Sequence, residues 1–139
     1  MGPETLGAAG RAAIAGLAAA AFMIVLLPAL APAQDGNAEA GADVFRKCRA
    51  CHDVGPNAKN KVGPLLNGII GRRAGTIEGF SYSEANKKSG ANGLLWTEQI
   101  MFEYLEKPLS YMPGTKMAFA GLKDPQDRKD VIAYLKQFK

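Results

Sequence analysis

The chain has 139 residues, and 17 Lys and Arg against 13 Asp and Glu leave a net charge of +4. That length suits one small domain, and so weak a positive balance, without interleaved basic and aromatic residues, gives no ground for nucleic-acid binding. Two Cys and one His are too few to close a four-ligand structural zinc site.

Residues 1–33 read as a secretory signal peptide. Arg11 makes the start basic, Ala12 to Leu27 is uncharged and apolar, and Ala31-Pro32-Ala33 is a small-residue cleavage site. Cutting after Ala33 removes one base, Arg11, and one acid, Glu4, so residues 34–139 keep the charge of +4. The competing reading is a retained anchor over Ala12 to Ala33, because a membrane span needs about 20 apolar residues. Pro28 and Pro32 break its far end. Residues 34–37 would then be the whole tether, at most about 3.5 Å per residue. Cleavage and a periplasmic location are therefore expected.

A first helix is expected after Asn37, running into Cys48, because Ala38, Gly41, Phe45 and Cys48 recur at helical spacing. The small Gly41 invites close approach of another helix. Then comes Cys48-Arg49-Ala50-Cys51-His52, the C-x-x-C-H attachment pattern of a covalent haem. On a helix, residues i, i+3 and i+4 share a face. Both sulfurs can then reach one porphyrin edge while the imidazole reaches the iron. A thioredoxin-like pair would need strands alternating with helices, which are absent from the pattern. A plain disulfide would leave His52 unexplained. Export agrees with this reading, since two thiols not taken up by haem in an oxidising compartment would otherwise tend to pair.

Residues 55–79 form a long stretch rich in turn residues. Ser81-Tyr82-Ser83-Glu84 has the capping-box pattern and opens a short helix toward Lys88, with Gly90 at its end. Thr97 caps a helix that stops near Pro108. Asp124 before Pro125 starts the last helix, whose apolar stripe is Val131, Ile132, Leu135 and Phe138. A domain this small buries a modest core, and a porphyrin would complete it.

His52 is the only histidine, so it is the proximal ligand and a second imidazole is impossible. The sixth position falls to Met, Lys, water or nothing. Met101 lies within a helix and reads as packing, and Met112 precedes Pro113. Met117 ranks first, because Pro113-Gly114-Thr115-Lys116-Met117 is a turn-rich loop that can deliver a side chain. A His/Met pair describes an electron-transfer haem. Arg46, Lys47, Arg49, Lys59 and Lys61 surround the motif, and Lys87, Lys88, Lys116 and Lys123 follow. As a set they would steer an acidic partner.

The chain resembles the class I c-type cytochromes, in particular the small cytochrome c2 group and mitochondrial cytochrome c. The likeness runs through Lys47 to His52, Val62-Gly63-Pro64-Leu65, Gly71-Arg72-Arg73-Ala74-Gly75 and Gly79 to Lys87. It continues through Leu95-Trp96, Glu103-Tyr104-Leu105, Pro113 to Met117 and Ile132 to Lys136. It implies an all-α, single-domain cytochrome c fold over residues 34–139, with one haem c joined by thioethers to Cys48 and Cys51. Met117 then matches the sixth ligand, and Pro64 matches the residue whose carbonyl accepts from the proximal histidine. Arg72, Tyr82 and Trp96 match residues around the propionates, Asn86, Tyr104 and Thr115 the polar network on the Met side, and Phe119 the aromatic at the exposed edge. Gly41, Phe45 and Tyr134 match the packing of the terminal helices.

Ala91-Asn92-Gly93 departs from mitochondrial cytochrome c as a small insertion, and Asp124 and Asp127 stand within a stretch that is lysine-rich there. The implied function is a monomeric, soluble, periplasmic electron carrier and not an enzyme. Its donor would be a bc1-type complex, and its acceptor a photosynthetic reaction centre or a terminal oxidase. The rivals are a haem enzyme or ligand sensor with a labile sixth site, and a module in which haem only supports the fold.

Overall fold

Asn37 begins the first helix because its side chain accepts from the Glu39 and Ala40 amides, satisfying two donors that the helix cannot pair itself. The structure, a computed structural model, describes residues 35–139, so the expected signal peptide lies outside the described residues. Among the described residues five helices follow in order: α1 (Ala38–Phe45), α2 (Glu84–Ala91), α3 (Glu98–Glu106), α4 (Pro108–Tyr111) and α5 (Pro125–Leu135). Among the described residues there is no strand, only one bridge between Arg73 and Leu95. No described helix is long and apolar enough to cross a membrane.

Three expected helix starts hold. Thr97 Oγ1 accepts from the Ile100 amide, and Asp124 Oδ1 from the Gln126 amide ahead of Pro125 at the first turn. The fourth is shifted. Ser83, not Ser81, caps α2, with its hydroxyl accepting from the Asn86 amide at 3.1 Å. Glu84 then stands at the first helical position, where its charge faces the positive end of the helix dipole. Gly90 does not end α2. It lies inside, where a β-carbon would strike the Ala74 carbonyl, and Asn92 and Gly93 turn the chain at the surface. The insertion of 91–93 is thus accommodated in solvent.

α1 also stops earlier than its spacing predicts. It ends at Phe45, and the chain tightens there: the Cys48 amide donates to Phe45 O, three residues back. The motif sits on the turn that follows. Cys48 O accepts from both the Cys51 and His52 amides, at 3.0 and 2.9 Å. The second of these spans four residues, so the helical side-chain spacing survives locally without a continuous helix.

α1 crosses α5 at Gly41, where a β-carbon would overlap the Asp130 carbonyl and lie 2.8 Å from Tyr134 Cβ. Phe45 stacks beside Tyr134 with centroids 5.3 Å apart. Asp130 Oδ1 also accepts the Asn37 amide at 2.7 Å. Gly41→Ala would gain about 1 kcal/mol of helix propensity but overpack this crossing by about 3 kcal/mol. The net expectation is a lower denaturation midpoint. A midpoint equal to or above that of the unsubstituted protein would contradict the crossing.

Candidate functional site

Facing surfaces of α1, α3 and α5 close on a cavity of about 280 Å³, walled by Phe45, Leu66, Ile69, Met101, Leu105, Val131 and Leu135 among others. Most of these walls are buried core residues. The same cavity is lined by Cys48, Cys51, His52, Pro64, Arg72, Tyr82, Asn86, Trp96, Tyr104, Thr115 and Met117, so the structure brings every candidate site residue to one place.

His52 is held from behind. Its Nδ1 donates to Pro64 O at 2.7 Å, and because a carbonyl only accepts, the proton sits on Nδ1 and the Nε2 lone pair is free. Burial lowers the imidazole pKa, the bond to Pro64 raises it, and Lys61 and Arg72 lower it further. The net lowering favours the neutral, ligating ring. Gly63 packs flat on that ring: a β-carbon there would lie 2.8 Å from Nδ1 and 2.9 Å from Nε2.

The thiols differ in exposure, Cys48 half-buried and Cys51 exposed, and are unpaired. Burial pushes Cys48 up to about 11, with Lys47 opposing and Cys51 adding to the rise. Such a thiol is a poor thiolate ligand for a metal ion, and a neutral thioether suits its setting better.

Met117 stands in a polar ring. Its amide donates to Thr115 Oγ1 at 3.3 Å, and the Tyr104 hydroxyl donates to its Sδ at 3.3 Å. Burial raises the Tyr104 pKa, partly offset by Thr115, so the phenol keeps the proton it offers to sulfur. Tyr104 also packs between Trp96 and Tyr111, with centroids at 4.8 and 5.7 Å.

The segments carrying Arg72 and Trp96 are joined by paired backbone bonds, Trp96 N to Arg72 O and Gly71 N to Trp96 O, each 2.8 Å. Arg72 donates to Asn67 O at 2.9 Å and Leu65 O at 3.2 Å. Burial lowers its pKa and Tyr82 raises it. Among the described residues no carboxylate pairs with it. The Tyr82 hydroxyl accepts the Ile77 amide at 3.4 Å. Asn86 Oδ1 is buried without a partner, an uncommon condition in a folded protein.

These residues fit a covalently bound haem. The walls are apolar, a free imidazole nitrogen and a thioether sulfur serve one cavity, and two thiols stand beside the imidazole. Arg72 offers a half-buried cation to a carboxylate, and Asn86 an acceptor in want of a donor. The basic collar is less complete than its sequence implies. Lys47 pairs with Asp127 at 3.0 Å, Lys87 with Glu84 at 2.9 Å, and Arg46 with Asp43.

The family model for cytochrome c matches residues 38–139. Cytochrome c2 of Blastochloris viridis is 54% identical over 116 residues, covering 84% of this chain and 89% of that protein. Cytochrome c-550 of Ancylobacter novellus is 58% identical over 98 residues, covering 70% of this chain and 92% of its own. The solved structure of cytochrome c2 from Rhodospirillum centenum superposes with a TM-score of 0.72 at 47% identity, covering 75% of this chain and 99% of that one. The chain belongs to the cytochrome c family, whose members carry covalent haem c, and it is a single-haem electron carrier.

Proposed function

We propose that this protein is an exported, monomeric shuttle that takes electrons from a bc1-type complex and passes them to a photosynthetic reaction centre or a terminal oxidase, and that it is not an enzyme. Residues 1–33 direct export and are removed, and the working protein is periplasmic. Haem c, joined to Cys48 and Cys51, supplies an iron that gains and loses one electron. His52 binds it through Nε2 and Met117 through Sδ, the pair that raises reduction potential. Pro64 fixes the plane and tautomer of His52. Tyr104 and Thr115 hold the Met117 sulfur in place. Arg72, Tyr82 and Trp96 surround the propionates, where buried carboxylates need donors, and Asn86 completes the polar side beside Met117.

The observation that carries this reading is the anchoring of both ligand groups. One is tied to a carbonyl and the other to a phenol, in the same cavity. A labile sixth site, as a haem enzyme needs, would leave Met117 unanchored. The test is flash-induced oxidation of the purified protein by isolated reaction centres, set beside its turnover with an oxidase. Fast electron donation to either supports the shuttle, and none to both refutes it.

Docking is expected to depend on salt. The screening length falls from about 30 Å at 0.01 M to about 10 Å at 0.1 M, so second-order rates should drop several-fold across that range. Stopped-flow or flash kinetics showing flat rates would mean that the basic residues do not steer.

A further inference from the structure

We propose that Arg128, on α5, is a positioning residue for the Met117 sulfur, acting as a clasp on the far end of loop 112–124. The proposal rests on Met117 being the sixth ligand.

The Arg128 side chain is only 6% exposed, and arginine is seldom buried without partners. Its nearest carboxylate, Glu106 Oε2, lies at the outer limit of 4.0 Å and is itself 60% exposed. The close contacts are to the loop. Nη1 donates to Leu122 O at 2.6 Å and to Lys123 O at 3.1 Å. The guanidinium carbon lies 4.4 Å from the Phe102 ring centroid on α3, and Nε makes no hydrogen bond. The buried charge is thus satisfied mainly by two backbone carbonyls of the loop that carries Met117.

Two further contacts tighten the same point. The Leu122 amide donates to Leu105 O at 2.8 Å. Gly121, at φ +97°, lets the chain pass against the Glu106 carbonyl, where a β-carbon would collide. Residues 121–123 are therefore gripped by the end of α3 and by Arg128. Between that grip and Met117, the backbone of 118–120 makes no hydrogen bond among the described residues. The sulfur is held on one side by Thr115 and Tyr104, and on the other by the clasp through a short unbonded link. Releasing the clasp lengthens that link and lets the sulfur leave the iron more often.

The test uses the oxidised holoprotein and the rate at which cyanide takes the sixth position, a rate set by departure of the sulfur. Arg128→Met should speed it about tenfold, equivalent to ~1.4 kcal/mol of opening free energy. Arg128→Lys, which keeps the charge but loses the fork, should fall between. Phe102→Leu removes the Arg128–ring contact and leaves the carbonyl bonds, so it should lower the unfolding midpoint while changing the cyanide rate less than about twofold. An unchanged rate in Arg128→Met, or an equal acceleration in Phe102→Leu, overturns the clasp. Should Arg128→Met fail to fold, hydrogen exchange of the unsubstituted protein decides. The Leu122 amide should open in step with the cyanide rate across mild denaturant, and a Leu122 amide that opens only on global unfolding overturns the clasp. The far-red sulfur-to-iron charge-transfer band separates the two layers. Its absence from the unsubstituted protein overturns Met117 ligation itself, whereas its presence with an unmoved cyanide rate overturns the clasp alone.

Discussion

Replacing Met117 with Ala is expected to leave the haem attached and open its iron to outside ligands. In the proposed arrangement attachment depends on Cys48 and Cys51, and proximal binding on His52, and the bond from His52 to Pro64 lies outside the Met117 loop. What the substitution removes is the acceptor of the Tyr104 hydroxyl and the sulfur that the polar ring holds. Axial ligands shift haem potentials over as much as about 0.8 V, so a fall of roughly 0.2 V or more is expected. Mass spectrometry should still find one haem, the far-red band should vanish, and cyanide should bind rapidly. An unaltered visible spectrum would remove Met117 from the site.

Gly63→Ala should be nearly as damaging, for a purely steric reason. The new methyl would press on three ring atoms of His52, two of them at 2.8 and 2.9 Å. The ring has no easy retreat, since its Nδ1 is fixed on the carbonyl of the next residue, Pro64. Overpacking typically costs about 1–3 kcal/mol, and here it also displaces the ring proposed to bind iron, so the upper end or beyond is expected. Holoprotein yield should collapse, or the surviving protein should melt far lower. Gly55→Ala is the contrast: its β-carbon meets nothing within 4 Å, and φ of +111° is the only penalty, so its loss should be smaller. A Gly63→Ala holoprotein with an unchanged spectrum and midpoint would show that the ring is not confined as described.

Local chemistry was legible in the sequence wherever the deciding atoms lie within a few residues. Asn37, Thr97 and Asp124 cap their helices through side-chain oxygens two or three residues from the amides they serve. Ser81 and Ser83 both offer a hydroxyl before the same helix, and the capping-box pattern favours the wrong one. The cap falls to Ser83, where the chain is extended and the hydroxyl meets the Asn86 amide, while the Ser81 backbone carbonyl accepts from Lys116 across the fold. Gly90 looked like a helix end for the same local reason, yet it is glycine because the Ala74 carbonyl rests on it from a segment sixteen residues away. No pattern within α2 carries that information.

The site divides along the same line. Cys48, Cys51 and His52 announce themselves by spacing. Asn86, Tyr104 and Thr115 carry no local signal, and family likeness alone pointed to them. Arg128 was missed altogether. In the sequence it is one arginine on a helix face, and its partners are carbonyls, which every residue possesses. The mixed charge of α5 has a similar outcome. Asp127 reads as a departure that dilutes positive charge, and in the structure it ties α5 to Lys47 beside the haem motif.

At Gly41, Gly90 and Gly121 one stretch of backbone rests directly on another, with no side chain between them to flex. Such junctions are stiff, because close-packed backbone yields little to small forces. Gly41 thus sets α1 hard on α5, Gly90 sets α2 on the chain at Ala74, and Gly121 sets the Met117 loop on the end of α3. Around a haem held as proposed, such a frame would leave the surroundings little nuclear motion to make when an electron is gained or lost. Transfer speed would then be governed by separation from the partner and by driving force, with only a small toll for rearranging the protein.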